Sequence, residues 1–593
     1  MNLTEYSWGT ALSISQKKAD EIKILFMEQE GHYPRLERDS RGYVLKIPTP
    51  MQARENVLSL HGMYFDLDDA GRSALWQLYN ASLHHLSLHT IVTDYTIYRN
   101  IVVASKNSHS NLNSLMFAIE LVEDYALRGL MRAKFPGLVP TAACANHYAY
   151  LRFRDLSRGA DHADLLAANL LSLSLVGSQL VSMGERVDRE LATLHKELRS
   201  LEELTLSVLS GAGDSATKSN NDFWSDGSAL SNLRVQIAEL ISSTFARNTA
   251  RLSTVHSLPH TESHSQGVNY LFEKSAITAP PDEREQVLRM CYAELSLEPP
   301  ATGLEARPRV VEGREILDSW LESLASRQRM ITLYRKLDPA SHFENYLMPI
   351  EDYAEFMRVR SKLVGPIRSI LEQLRQMKSD VDEVQNQEAG YIDMQKAIQY
   401  VASRNTSNDY FAREEIEKKS EAWAIIIDAS KSLEQLQGET KDITVCIMEV
   451  AKDLFNTPEA WCCLAFNENL YIIKDFKENY TNTVKSRAGG LTSGIKTYLP
   501  DALRLASSRL SAIPAEVKAI LVISDGYPLG YEGIEKELIS TIEKVSKKGI
   551  LLLGLGVGSS AIQRYFRLNC VINQPSDLMK QFVKTYLEVP SLL

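Results

Sequence analysis

The sequence predicts a multi-domain protein in which mostly α-helical N-terminal and middle regions precede a C-terminal α/β domain of the doubly wound, Rossmann-like kind. Three observations predict it. The chain has 593 residues, more than one hydrophobic core organises, so several domains are expected. From residue 421 onward short apolar runs alternate with amphipathic helical patterns, as in a parallel sheet with helices on both faces. Before residue 420 apolar residues recur at helical spacing, without comparable strand alternation.

Taken in order, residues 1–206 read as an N-terminal helical domain. Within it, residues 165–183 are apolar enough to test as a membrane span, but Asn169, Ser172, Ser174, Ser178, Gln179 and Ser182 interrupt the run. A buried helix is the expectation, with no membrane span. Residues 207–230 enclose a Gly-, Ser-, Asn- and Asp-rich stretch, Gly211 to Ser228, that reads as a flexible linker or a long exposed loop. Residues 231–420 form a middle helical region with a Pro-rich break near 278–308, marked by Pro280-Pro281 and Pro299-Pro300. Towards its end Ile367, Ile370, Leu371, Leu374, Met377, Val381 and Val384 form a helical stripe after the Gly365-Pro366 break. The mixed charges of residues 413–419 read as a solvated helix. In the last domain, 421–593, candidate strands are 423–427, 461–466, 470–474, 518–524, 550–557 and 570–572. Between the first two, Ile443, Cys446, Ile447, Val450, Ala451 and Leu454 mark one apolar helix face.

Composition narrows the function classes. A 44% hydrophobic and 24% charged chain is ordinary for a globular protein, and a net charge of −10 argues against nucleic acid, whose phosphates need a basic face. The six cysteines lack paired metal-ligand spacing and read as reduced core thiols. Cys462 and Cys463, neighbours on a strand, point to opposite faces, which excludes a redox pair. The start has no basic-then-apolar signal sequence, so a cytoplasmic location is expected. No Gly-x-x-x-x-Gly-Lys-Ser/Thr phosphate loop is found, and Gly-Leu-Gly-Val-Gly at 554–558 lacks dinucleotide spacing. It reads as a strand end with close backbone packing.

The chemistry concentrates at Asp428, Ser430 and Ser432. They follow a buried apolar run and set three oxygen donors on one tight turn, suited to a hard divalent cation such as Mg²⁺. The triplet alone would serve equally as a strand end that caps a helix. Asp525 ends a second buried strand, 518–524, at the same carboxyl edge where open α/β sheets place ligands. A second candidate, His84, His85 and His89, puts two histidines four apart on a helix, a spacing that can bind zinc. Without an adjacent Glu or an identifiable third ligand, partly exposed helix histidines are the expectation.

With Thr497 in Gly-Ile-Lys-Thr-Tyr-Leu-Pro-Asp-Ala-Leu, the five positions Asp428, Ser430, Ser432, Thr497 and Asp525 resemble the metal-ion-dependent adhesion site of von Willebrand factor A domains. That resemblance implies Mg²⁺ held directly by the hydroxyls, acidic residues acting mostly through water, and one open position for a partner's carboxylate. Further runs resemble one branch, the nitric oxide reductase activation proteins (NorD) and their Rubisco-activating relatives (CbbO). They are Ile473-Lys474-Asp475-Phe476, Gly390-Tyr391-Ile392-Asp393-Met394, and Leu121-Val122-Glu123-Asp124 followed by Phe135-Pro136-Gly137-Leu138. Ala126 and Arg128 depart from that branch, as does the short loop Leu529-Gly530-Tyr531-Glu532. Gly554 to Gly558 with Arg564-Tyr565-Phe566 is similar to the A domain of the cobalt chelatase subunit CobT. The group implies a non-catalytic adaptor that couples a MoxR-type AAA+ ATPase to a client metalloenzyme through an acidic residue. A subunit of an ATP-dependent metal chelatase acting on a tetrapyrrole is the alternative.

Overall fold

The computed structural model describes residues 3–28, 34–39, 42–54, 56–107, 112–154, 161–211, 228–248, 252, 280–296, 309–379, 383–387, 391–392, 394, 397–398, 411–414, 420–431, 437–455 and 457–572. The chain divides into two compact units, Met1–Leu324 and Ala325–Leu593.

The first unit opens with helix α1 (Leu3–Ser15) and six short strands, then turns helical. Strands β1 (Ile22–Met27), β2 (Arg35–Asp39) and β3 (Gly42–Pro48) form one small sheet, and β4 (Met51–Arg54), β5 (Val57–Leu60) and β6 (Met63–Asp66) form another. These strands were not anticipated. At four to seven residues each, they are too short to stand out from a helical background. The helices are α2 (Asp69–Val92), α3 (Arg99–Asn107), α4 (Leu112–Lys134), α5 (Val139–Phe153), α6 (His162–Val176), α7 (Glu185–Gly211), α8 (Ala229–Arg247) and α9 (Pro281–Glu294), followed by α10 (Arg309–Leu337), whose residues from Ala325 onward belong to the second unit. The apolar run near residue 170 is the buried helix α6. Asp161 caps its first turn by accepting the Asp164 N–H at 2.9 Å, and Gly177, at φ 70°, ends it. Among the described residues no helix is long and apolar enough to cross a membrane. The stretch 212–227 lies outside the described residues, as do residues 278–279 and 297–308 of the Pro-rich break, whose remaining part is mostly helix α9.

The second unit holds a seven-stranded sheet. Its strands are β7 (Tyr346–Leu347), β11 (Glu421–Asp428), β12 (Trp461–Phe466), β13 (Leu470–Lys474), β14 (Val517–Ser524), β15 (Ile550–Val557) and β16 (Leu568–Ile572), in the order β16-β15-β14-β11-β12-β13-β7. The intervening β8 (Glu383–Gln387), β9 (Tyr391–Ile392) and β10 (Phe411–Glu414) form a separate small sheet, so Arg413 and Glu414 are strand residues, not helical ones. Around the large sheet lie α11 (Tyr353–Ser379), α12 (Gln437–Leu454), α13 (Asn482–Gly489), α14 (Leu499–Ser511) and α15 (Ile534–Lys547). All six strands read from the sequence are present, but the sheet is mixed rather than wholly parallel. β13 runs antiparallel to β12 because only residues 467–469 connect them, too few for a crossover. Two expectations upstream change as well. Helix α11 begins before Gly365-Pro366 and continues through Pro366, and Val384 sits on β8.

Counting β11 as the first strand, the order up to β13 is that of a doubly wound sheet, 3-2-1-4-5-6. The alternation of side chains along β11 explains why both faces are covered. Trp423, Ile425 and Ile427 join one core with Phe356, Ile370, Ile443 and Cys446, while Ala422, Ala424 and Ile426 join another with Leu499, Leu503 and Leu538. Cys463 belongs to the first core and Cys462 to the second, as their adjacency on a strand requires.

Candidate functional site

The chain reverses direction across the sheet between β11 and β14, and their carboxyl ends form the crevice in which open α/β sheets bind ligands. Ile427 pairs with Ile523, so Asp428 and Ser524 leave the sheet side by side, and Asp525 follows at once. The Asp428 carboxylate is fully buried and held at both oxygens: Oδ1 accepts the Ser430 N–H at 3.0 Å and Oδ2 accepts the Ser524 hydroxyl at 2.6 Å. Ser524 also accepts the Gly526 N–H at 3.0 Å, and Asp525 accepts the Tyr527 N–H at 3.0 Å. The backbone of the second aspartate is thus fixed by the residue that fixes the first.

Two loop contacts bring in the hydroxyls. Ser430 bridges to Gly494, with the Gly494 N–H donating to Ala429 O at 2.7 Å and the Lys431 N–H donating to Gly494 O at 2.5 Å. A Cβ at Gly494 would lie 2.4 Å from Asn467 Nδ2 and 2.5 Å from Glu468 Oε2, so any larger residue would push those two side chains from the loop. Glu468 secures the same loop by accepting the N–H groups of Ile495 at 2.7 Å and Lys496 at 3.1 Å. Thr497 then pairs with Leu529 beyond Asp525, its N–H donating at 2.8 Å. Asp428, Ser430, Thr497 and Asp525 are all buried at this one edge. Ser432 lies outside the described residues. Sequence reasoning missed Ser524, Gly494, Asn467 and Glu468, whose roles follow only from the strand register and the loop contacts.

Electrostatics set the chemistry of this edge. Burial first, and the neighbouring Asp525 charge second, push the Asp428 carboxyl up to about 7, against the hydrogen bonds from Ser524 and Ser430. Among the described residues no Lys, Arg or His is bonded to either aspartate. Two carboxylates and two hydroxyls, with no imidazole or thiol, make a donor set suited to a hard divalent cation. An unneutralised pair of buried like charges is costly. The residues present therefore fit Mg²⁺. Around them, Ile495, Tyr527 and Leu529 are 65%, 57% and 60% exposed, an apolar rim on the loops that carry Thr497 and Asp525.

The Lys474-Asp475-Phe476 run sits elsewhere and is built into the core. Lys474 Nζ donates to the carbonyls of Pro458 (2.6 Å), Trp461 (2.8 Å) and Asp475 (3.1 Å). Asp475 takes a bidentate pair from Arg509, at 2.8 and 2.7 Å, and the Tyr334 hydroxyl at 2.7 Å. Its role is structural.

No family model and no curated protein matches the chain. Solved structures to which it is similar include a mutant of the PilB minor pilin from Streptococcus sanguinis, at 17% identity and TM-score 0.25, covering 30% of this chain and 64% of that one. A von Willebrand factor type A protein from Catenulispora acidiphila is matched at 16% identity and TM-score 0.23, over 29% of this chain and 42% of that one. The conserved hypothetical protein BatB from Bacteroides thetaiotaomicron is matched at 14% identity and TM-score 0.22, over 29% and 99%. The chain thus spans less than two thirds of the first two proteins.

Proposed function

We propose that the α/β unit is a Mg²⁺-dependent docking domain of the von Willebrand A type, and that the chain is a cytoplasmic adaptor of the NorD and CbbO group. The observation that carries this reading is the buried pair Asp428 and Asp525, without a basic partner among the described residues, at the point where the sheet reverses. Asp428, Ser430, Thr497 and Asp525, with Ser432, would hold the ion. Once bound, Mg²⁺ supplies a positive centre with a position for a partner's Asp or Glu. The chain's own part is to keep that centre rigid through Ser524 and Glu468, and to offer Ile495, Tyr527 and Leu529 as the apolar rim of the contact. The partner is a MoxR-type AAA+ ATPase, and the pair acts on a client metalloenzyme.

Co-purification of the chain with a MoxR-type ATPase encoded in the same genome tests this. Capture is expected in Mg²⁺ and lost in EDTA, and Asp428→Ala and Thr497→Ala should each abolish it with the fold intact. Capture that survives EDTA and both substitutions sinks the proposal.

A further inference from the structure

The helical unit carries a second constellation, far in sequence from the aspartate pair. His85 and His89 lie one turn apart on α2, and both are buried rather than partly exposed as expected from their sequence. Their Nε2 atoms face each other at 2.7 Å. The third group absent from the local sequence is Asp124, buried on α4: its Oδ1 is 3.2 Å from His85 Nε2 and 3.4 Å from His89 Nε2. All three ligand atoms lie within 4.8 Å of one another. A point about 1.8 Å from all three exists in their plane, so an ion with bonds of about 2.0–2.1 Å would sit just off it.

We infer that His85, His89 and Asp124 form a binding site for a first-row divalent transition metal, Zn²⁺ or Fe²⁺, with an open coordination position. Two imidazoles and one carboxylate on a single face are a donor set for such ions, unlike the all-oxygen set at the sheet edge. Three further observations point the same way. His89 Nδ1 lies 2.7 Å from Thr93 Oγ1; with the ring proton on Nδ1, the Nε2 lone pair is left facing the cluster, as outer-shell partners of metal-bound histidines arrange. Asp124 Oδ1 stands within reach of both Nε2 atoms at once, so one ion between them engages all three groups. Finally, the cluster opens onto a cavity of about 30 Å³, room for a water, lined by His84, Leu88, Leu127, Met131 and Arg128. Buried Arg128 donates through Nη2 to Ser174 O at 2.5 Å, while its Nη1 has no hydrogen-bond partner among the described residues.

The full-length chain, stripped with chelator, is titrated with Zn²⁺ in air and with Fe²⁺ under anaerobic conditions, and metal content is measured after desalting. One equivalent of one of these metals per chain is expected, and Asp428→Ala should retain it. His89→Gln and Asp124→Asn should each weaken binding by roughly a hundredfold or more, and Thr93→Val by roughly 10–100-fold. A folded wild-type chain that takes up neither metal overturns the inference, as does binding unchanged in all three variants. Should His89→Gln or Asp124→Asn fail to fold, X-ray absorption at the metal edge of the wild-type protein decides. Two imidazole nitrogens with oxygen support the site, and a shell without imidazole overturns it.

Discussion

The substitution Asp428→Asn separates the charge of this residue from its shape. The amide can still accept the Ser430 N–H and meet the Ser524 hydroxyl, so the local hydrogen bonds persist. In the metal-free protein the Asp428 carboxyl is pushed from 3.8 up to about 7, a difference worth about 4 kcal/mol between protonated and ionised forms. Because the folded-state value is the higher, the stability carried by the protonated form is fully present below about pH 4. It is lost as pH rises through about 7. With Mg²⁺ at about 100 times its dissociation constant, pH 8 should restore about 2.7 kcal/mol, or roughly 5–10 °C. At pH 5 protons compete and weaken apparent affinity about 100-fold, which leaves about 0.4 kcal/mol. Thermal unfolding in EDTA and in Mg²⁺ across pH 4–8 reads these differences. The Asn variant should be more stable than the native chain at pH 8 in EDTA, lack this pH dependence, and ignore Mg²⁺. The reasoning fails if the variant is no more stable there, or if Mg²⁺ raises both proteins equally.

Other consequences follow from the same contacts. Gly494→Ala forces Asn467 and Glu468 away from the loop that pairs with Ser430, and should weaken Mg²⁺ binding by roughly 10–100-fold in a calorimetric titration. Arg509→Met strands the buried Asp475 carboxylate and should destabilise the α/β unit by about 3–5 kcal/mol in urea denaturation, while adding Asp475→Asn recovers part of the loss. In the helical unit, Arg234→Met strands Glu123, which otherwise accepts from Arg234 Nε at 2.9 Å and Tyr98 at 2.5 Å. A similar loss of about 3–5 kcal/mol is expected there, with Mg²⁺ binding unchanged.

What the sequence reveals depends on how local the determining physics is. The strands of the α/β unit are legible because burial on both faces leaves nearly unbroken apolar runs, such as the residues of β11 and β14. Edge strand β7, two residues long, leaves no such trace, and the direction of β13 is fixed by a connection length instead of by its composition. At the sheet edge the aspartates and hydroxyls could be read as a pattern, whereas Ser524 and Glu468 are ordinary polar residues until register gives them partners. The histidine pair shows the same division. Helical spacing placed His85 beside His89, but Asp124 is supplied by another helix, and only tertiary packing brings it within 3.4 Å.

Calorimetric titration of Mg²⁺ into the metal-free, full-length chain at pH 8, where Asp428 is ionised, tests the central claim most directly. The account predicts one ion bound at the sheet edge, with binding lost in Thr497→Ala and Asp525→Asn proteins that keep the native unfolding transition. No Mg²⁺ binding by the native chain, or binding that both variants retain, would contradict it.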